Sequence, residues 1–356
     1  MKPARDSWVN PALALACCTA AGASFAWLKL PLPWMLGPLV AMAACNFAGV
    51  ELRAMRGGRE AGQVVIGTAL GLYFTPAVAR EVAAYWPLLL LAALFAILLG
   101  VFGGRTLSRA AGTDRTTAFF ASVPGGATEM TLLGERFGAR PDRVALAQSL
   151  RILAVVIIVP SALTYSGVHG ADNYQPGAVA LHLPGLALLL AVAAAAGWFL
   201  ERMRMPNAFM FGPLALAIAL TVNELELSSL PAMLSNAAQL ALGCALGARF
   251  ERRSLQSAPR YVAGVAASVL VAIAAAAGFA LALAWLWGMP WPSLVLAMAP
   301  GGIAEMCITA KVLQLGVPLV TAAHVVRVLV LITTTGPGFR AACALKGRFR
   351  SRKPLL

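Results

Sequence analysis

Charge is scarce in this chain: Asp, Glu, Lys and Arg make up 12% of it, where a soluble globular domain carries about a quarter. That shortfall excludes an ordinary solvated surface wrapped around a core. Acid is scarcer than base, with 14 Asp and Glu against 28 Lys and Arg and a formal net charge of +14. Histidine is nearly missing. His169, His182 and His324 are far apart, and no metal-binding spacing arises among them. The six cysteines (Cys17, Cys18, Cys45, Cys244, Cys307 and Cys343) form no C-x-x-C and lie in or near apolar segments. They read as small buried hydrophobes rather than disulfides or metal ligands. No helix-turn-helix, zinc-finger or RNA-binding signature is present. The expectation is therefore no cofactor, no metal and no nucleic-acid partner.

What the chain has instead is apolar sequence: 60% hydrophobic residues and a mean hydropathy of +0.79. Runs such as 85–104 and 261–289 exceed the roughly 18 apolar residues that mark a membrane helix. The expected fold class is all-α, a polytopic helical membrane protein whose main partner is the lipid bilayer. In such a protein Lys and Arg gather on cytoplasmic loops, and the basic tail 346–353 reads as an anchor for anionic lipid.

The sequence is also duplicated. At an offset of 176, Pro124-Gly125-Gly126 falls on Pro300-Gly301-Gly302, Glu129-Met130 on Glu305-Met306, Arg151 on Arg327, and Gln63 on Gln239. At an offset of 175, Gly37-Pro38-Leu39 falls on Gly212-Pro213-Leu214. These Gly-Pro-Leu motifs read as kinks and close-packing points. The expected organisation is a first membrane repeat over 1–165, a polar external linker over 166–183, a second repeat over 184–345 and a cytoplasmic tail over 346–356. Lys2 and Arg5 ahead of an apolar run look like the start of a signal peptide. Residues 11–28, however, have an internal mate at 184–200, so a retained helix is expected.

Each half shows six apolar segments, and the fifth carries Pro-Gly-Gly. If all twelve span, the basic residues divide almost evenly between the two sides. If the Pro-Gly-Gly segments enter and return, ten spans remain, five per half, and the second half is inverted. Of the 28 Lys and Arg, 23 then lie inside and only Lys29, Arg80 and Lys311 outside, with Arg151 and Arg327 in the membrane. The positive-inside rule favours this second arrangement, with both termini cytoplasmic. A re-entrant hairpin is the first choice for the fifth segment and an unwound spanning helix the alternative.

Pro removes a backbone donor and Gly-Gly loosens a helix. Broken backbone at membrane depth survives only against protein or a watery cavity. After each break a new helix begins, with Thr128 near the first turn of one, and its free N–H groups and positive dipole end face that cavity. Two such breaks brought together by inverted repeats make a transporter-like site. Glu129 and Glu305 sit in the first turn after each break, where a carboxylate either compensates the dipole or serves as proton carrier or cation ligand. Arg151 and Arg327 follow their Glu residues by 22 positions and need partners in the membrane. Those partners are either the Glu of the same half, in a salt bridge, or an anionic ligand. Gln148 and His324 lie one turn before the arginines, and Gln63 and Gln239 in the third segments could line the same cavity. The expected substrate- or ion-binding set is Gln63, Pro124, Gly125, Gly126, Thr128, Glu129, Gln148, Arg151, Gln239, Pro300, Gly301, Gly302, Glu305, His324 and Arg327.

The doubled "VPGGATEM…LAQSLRILAVVIIVP" and "APGGIAEM…HVVRVLVLITTT", each with "GPL" upstream, resembles the AbrB-type bacterial membrane proteins with a duplicated domain. Members have carried the labels "ammonia monooxygenase" and "regulator of gene expression". The family is distantly similar to inverted-repeat secondary transporters of the cation–proton antiporter and anion transporter group. The resemblance implies an inner-membrane protein. The leading functional expectation is a secondary transporter for a small anionic or zwitterionic solute, coupled to H⁺ or Na⁺. An indirect role in gene regulation is the alternative. A monooxygenase is disfavoured because no ligand cluster is present, so no enzyme is expected. Small residues on many helices also allow a homodimer.

Overall fold

A computed structural model describes residues 6–50, 52–168, 170, 180–250 and 258–350. Much of the expected linker, the end of the basic tail, and Lys2, Arg5, Arg252 and Arg253 lie outside the described residues. The first half contains α1 (Asp6–Trp27), α2 (Pro33–Phe47), α3 (Gly58–Gly71), α4 (Pro76–Ala84), α5 (Trp86–Ala111), α6 (Arg115–Ser122), α7 (Ala127–Arg136) and α8 (Pro141–Tyr165). The second contains α9 (Leu183–Arg202), α10 (Ala208–Val222), α11 (Ala232–Gly247), α12 (Pro259–Trp287), α13 (Trp291–Met298), α14 (Ile303–Leu313) and α15 (Val317–Arg350).

Sequence chemistry sets the boundaries. Proline opens α2, α4, α5, α8, α9, α12 and α13 in their first turns, where its missing N–H costs nothing. Asp114 and Thr75 cap α6 and α4 by accepting the N–H of Thr117 and Val78. Gly112 and Gly288 close α5 and α12 with φ of 63°, a left-handed cap that suits glycine.

The chain is a multi-pass helical membrane protein. The helices α5, α8, α9, α12 and the first 25 residues of α15 are long and apolar enough to cross a bilayer, while α3 and α4 form a pair bent by 90°. Residues 11–27, α2, α10 and α11 are apolar but shorter. Length alone thus supports fewer spans than the ten expected. Helices of 14 to 16 residues reach only about 21–24 Å, short of the roughly 30 Å hydrocarbon core.

These short helices pack on one another across the repeat boundary. The helix α3 lies along α10, and α2 along α11, with α3 and α11 crossing between them. A Cβ on Gly67 would come within 2.7 Å of the Met210 carbonyl oxygen, and one on Gly71 within 2.8 Å of that of Leu214, so α3 and α10 run the same way at contact distance. Gly243 and Gly247 of α11 meet Met35 and Leu39 of α2 in the matching manner. By contrast Gly58 faces Ala241 while Gly62 faces Ala238, so the mates α3 and α11 cross antiparallel. Mates running in opposite directions are what inverted repeats produce. Gly37 and Gly212 likewise sit against the backbone of Ala21 and Ala196, which accounts for the Gly-Pro-Leu motifs as close-packing points.

Two bundles result. One gathers α1, α2, α3, α9, α10 and α11. The other gathers α5 to α8 with α12 to α15. Each takes helices from both repeats. Inside the second bundle, α6 and α7 fold back on each other: the Arg140 N–H donates to Thr117 Oγ1 at 2.9 Å, and the Phe120 and Phe137 rings stack at 5.7 Å. The start of α6 and the end of α7 are therefore neighbours. The mates Ser293 and Gly316 are adjacent as well. Both Pro-Gly-Gly segments are helical hairpins, with their breaks at the tips.

Candidate functional site

Each hairpin tip leaves carbonyls at the end of one short helix and N–H groups at the start of the next without helical partners. A buried amide group left unbonded costs about 2–7 kcal/mol. The sixth segments supply the missing donors. From α8, Gln148 Nε2 donates to the carbonyls of Phe120 at 2.8 Å, Ala121 at 3.4 Å and Val123 at 3.0 Å. One turn on, Arg151 donates through Nη1 to the Val123 carbonyl at 2.9 Å and through Nη2 to that of Gly125 at 3.1 Å. From α15, the His324 Nε2 bonds the Leu296 carbonyl at 3.0 Å, and Arg327 donates to the carbonyls of Ala299 and Gly301, both at 2.6 Å. Glutamine and histidine thus perform the same task at matched positions.

This geometry corrects one of the two readings of the arginines. Among the described residues no ion pair joins Arg151 to Glu129 or Arg327 to Glu305, whereas Asp142 pairs with Arg140 and Arg143. The partners are broken-backbone carbonyls, invisible to any search for opposite charge. Arg151 and Arg327 are 4% and 3% exposed, and the Nε of each is buried without a partner, as are Gln148 Oε1 and His324 Nδ1.

The motif P-G-G-x-x-E-M has a packing logic. Met130 lies against the Cα of Gly125 and Met306 against that of Gly301, so a Cβ there would come within 2.9 Å of the methionine side chain. The carboxylates of Glu129 and Glu305 fold back over Gly126 and Gly302, where a Cβ would overlap them. The first glycine makes room for the methionine and the second for the glutamate. Glu129 and Glu305 stand three residues inside helices whose N-caps, Gly126 and Gly302, have no capping side chain. A carboxylate there compensates the helix dipole.

A cavity of about 90 Å³ opens where the two tips meet, at the boundary between the bundles. Of the expected residues it is lined by Gln63, Pro124, Gly125, Gly126, Arg151, Gly301, Gly302, Glu305 and Arg327. The rest lie elsewhere. Thr128 is exposed and Gln239 buried, Gln148 and His324 bond backbone behind the tips, and neither Glu129 nor Pro300 lines the wall. Three polar lining residues were missed: Arg59, Asn207 and Arg249. A signal existed for Arg59, which precedes Gln63 by four positions and so shares its helix face. Arg249 follows α11 by two residues and was counted only as a loop charge. Burial, with Arg59 nearby, holds the Arg249 guanidinium below the ordinary arginine range, against the opposing influence of Glu305 and Glu129. Four arginines and one glutamate therefore face a cavity into which two helix N-termini also open, a field that suits an anion.

The model of the family described as "Transition state regulatory protein AbrB" matches residues 34–342. A protein of Escherichia coli (strain K12), named as a proposed regulator, AbrB, is 27% identical over 320 residues, covering 88% of this chain and 90% of its own. The protein YhjN of Bacillus subtilis (strain 168), described as uncharacterized, is 26% identical over 363 residues, covering 97% of this chain and 90% of its own. With one family model running from α2 into α15 across both hairpins, the chain belongs to the AbrB family.

Proposed function

We propose that this protein is a secondary transporter of the bacterial inner membrane, with both termini cytoplasmic, moving a small anionic or zwitterionic solute coupled to H⁺ or Na⁺. The observation that carries the reading is the cavity between two re-entrant tips, with Arg59, Arg151, Arg249 and Arg327 on its wall. Broken elements from inverted repeats that meet at a shared cavity are the building plan of many secondary transporters. Arg151 and Arg327 line the wall, and their positive charge suits an anionic ligand. Glu305 lines the wall and Glu129 lies close by, which suits them to carry the coupling proton or cation. On this reading the protein is not an enzyme, and its partners are lipid and solute.

The test is uptake into proteoliposomes of a panel of radiolabelled carboxylates, amino acids, phosphate and sulfate. At least one solute should accumulate over protein-free vesicles. Glu305→Gln and Arg249→Gln should each lower that uptake tenfold or more in protein that remains folded. No accumulation across the panel, or undiminished uptake in both variants, would overturn the reading. The names of the family and of the Escherichia coli relative favour a second reading, an effect on gene expression. That effect would be indirect, through the solute moved. Deleting residues 346–356 should spare uptake; a regulatory effect lost with the tail while uptake persists would point to a partner protein.

A further inference from the structure

The two repeats are not in the same state. The residue Gln63 lines the open cavity, while its mate Gln239 is buried at 7% exposure. Glu305 lines that cavity and Glu129 does not. The helix α14 packs against α3 and α8; α7 meets α15 through Leu133 at Gly336, but among the described residues it has no packing on α11 comparable to that of α14 on α3. At the end of α14, Lys311 Nζ lies 3.5 Å from Ser235 Oγ on α11. The mate of Lys311 is Glu135 at the end of α7, and the mate of Ser235 is Arg59 on α3. Glu135 is exposed, and among the described residues no ion pair joins it to Arg59.

A second cavity, of about 170 Å³, lies at the other end of α3. Tyr73, Thr221, Glu226, Ser228, Ser229 and Lys311 contribute its polar wall. Arg59, Gln63, Ile66 and Leu70 follow one another at spacings of four and three on one face of α3, and Tyr73 comes two residues past its end. The first two line or face the first cavity and the last lines the second. Ile66 and Leu70, both buried, lie between them over roughly 12 Å of helix from Gln63 to the end of α3.

On the transporter reading above, we infer that the second cavity is the far mouth of one solute path. The Lys311–Ser235 contact shuts that mouth off from the first cavity here, and an Arg59–Glu135 ion pair closes the near mouth in the alternate state. Exchanging the conformations of two inverted repeats puts α7 against α11 as α14 now sits against α3, and carries Glu135 to Arg59 as Lys311 now sits at Ser235. The charges are right for it: the exchanged contact joins a carboxylate to a guanidinium. It also removes Arg59 from the wall that attracts an anion, so closure and release of the anion coincide. Lys311 takes over as the cation facing the same anion at the far mouth.

Cross-linking tests this in the full chain, with its six cysteines replaced by serine, in native membranes. Two double variants are compared, Ser235→Cys with Lys311→Cys and Arg59→Cys with Glu135→Cys, each treated with a short bis-maleimide. Both should couple within the chain, the first faster. Coupling of the first pair with none of the second overturns the inference. A reporter Ala245→Cys, whose native residue lines the open cavity, gives an independent reading with an impermeant maleimide. Adding Lys311→Ala should slow its labelling at least twofold, because loosening the far closure populates the near-closed state. Unchanged labelling overturns the inference. Coupling of both pairs in a protein that moves no solute in the panel would keep the paired closures and remove transport. Solute uptake by a protein whose 59–135 pair never couples would do the reverse.

Discussion

Gln148 and His324 occupy one position in two copies of a single plan, yet only part of their work is shared. Gln148 holds three carbonyls at its hairpin tip and His324 holds one. The arginines beside them are closer equivalents, each gripping two carbonyls two residues apart. Duplicated sequence therefore keeps the backbone-holding arginines alike while the neighbouring donor drifts. What the pair must preserve is a donor against broken backbone, and both an amide and an imidazole meet that requirement.

The largest effects should come where the copies agree. Arg151→Ala and Arg327→Ala each withdraw the donors to two buried carbonyls, of which Val123 keeps Gln148 Nε2, at about 1–3 kcal/mol for each carbonyl left without a partner. Thermal unfolding in detergent should show similar, large losses for both. A loss confined to one would break the equivalence of the tips. Next come Gly67→Leu and Gly243→Leu, which force side chains into the α3–α10 and α2–α11 contacts and should destabilise by roughly 1–3 kcal/mol each. A smaller effect separates the unlike mates. Gln148→His should lose about 1 kcal/mol with its extra bonds, while His324→Gln should be near neutral; the opposite order would mean that histidine has a role beyond holding backbone. Smallest is the stability cost of Glu129→Gln and Glu305→Gln, about 0.3–1 kcal/mol each if the carboxylates only compensate a dipole. A variant that keeps its unfolding temperature but loses solute uptake separates the two roles.

Much of this architecture was legible in the sequence. The offset of 176 located both tips, and the division of basic residues favoured hairpins and inverted halves, as the contacts Thr117–Arg140 and Gly62–Ala238 then bear out. The partners of Arg151 were not legible. Backbone carbonyls exist at every residue, and only the folded hairpin turns particular ones toward α8. Arg59 and Arg249 were hidden for another reason: at helix ends a basic residue satisfies the topology rule whether or not it also lines a cavity. The helix α4 was missed although Thr75-Pro76 is a legible start signal, because the apolar run of α3 overlapped it. The short lengths of α2, α10 and α11 were lost in apolar segments whose ends run past the helices.

The crossed pairing of α2 with α11 and α3 with α10 also sets the order of biogenesis. The first repeat leaves the ribosome complete in sequence but without the helices that cover its glycine-bearing faces. Until α10 and α11 arrive, those faces can meet only lipid or the insertion machinery. A gene cut at the linker would thus give two fragments that are each unstable alone and rescue one another when made together. In this protein the unit of inheritance is the half, and the unit of folding is the whole.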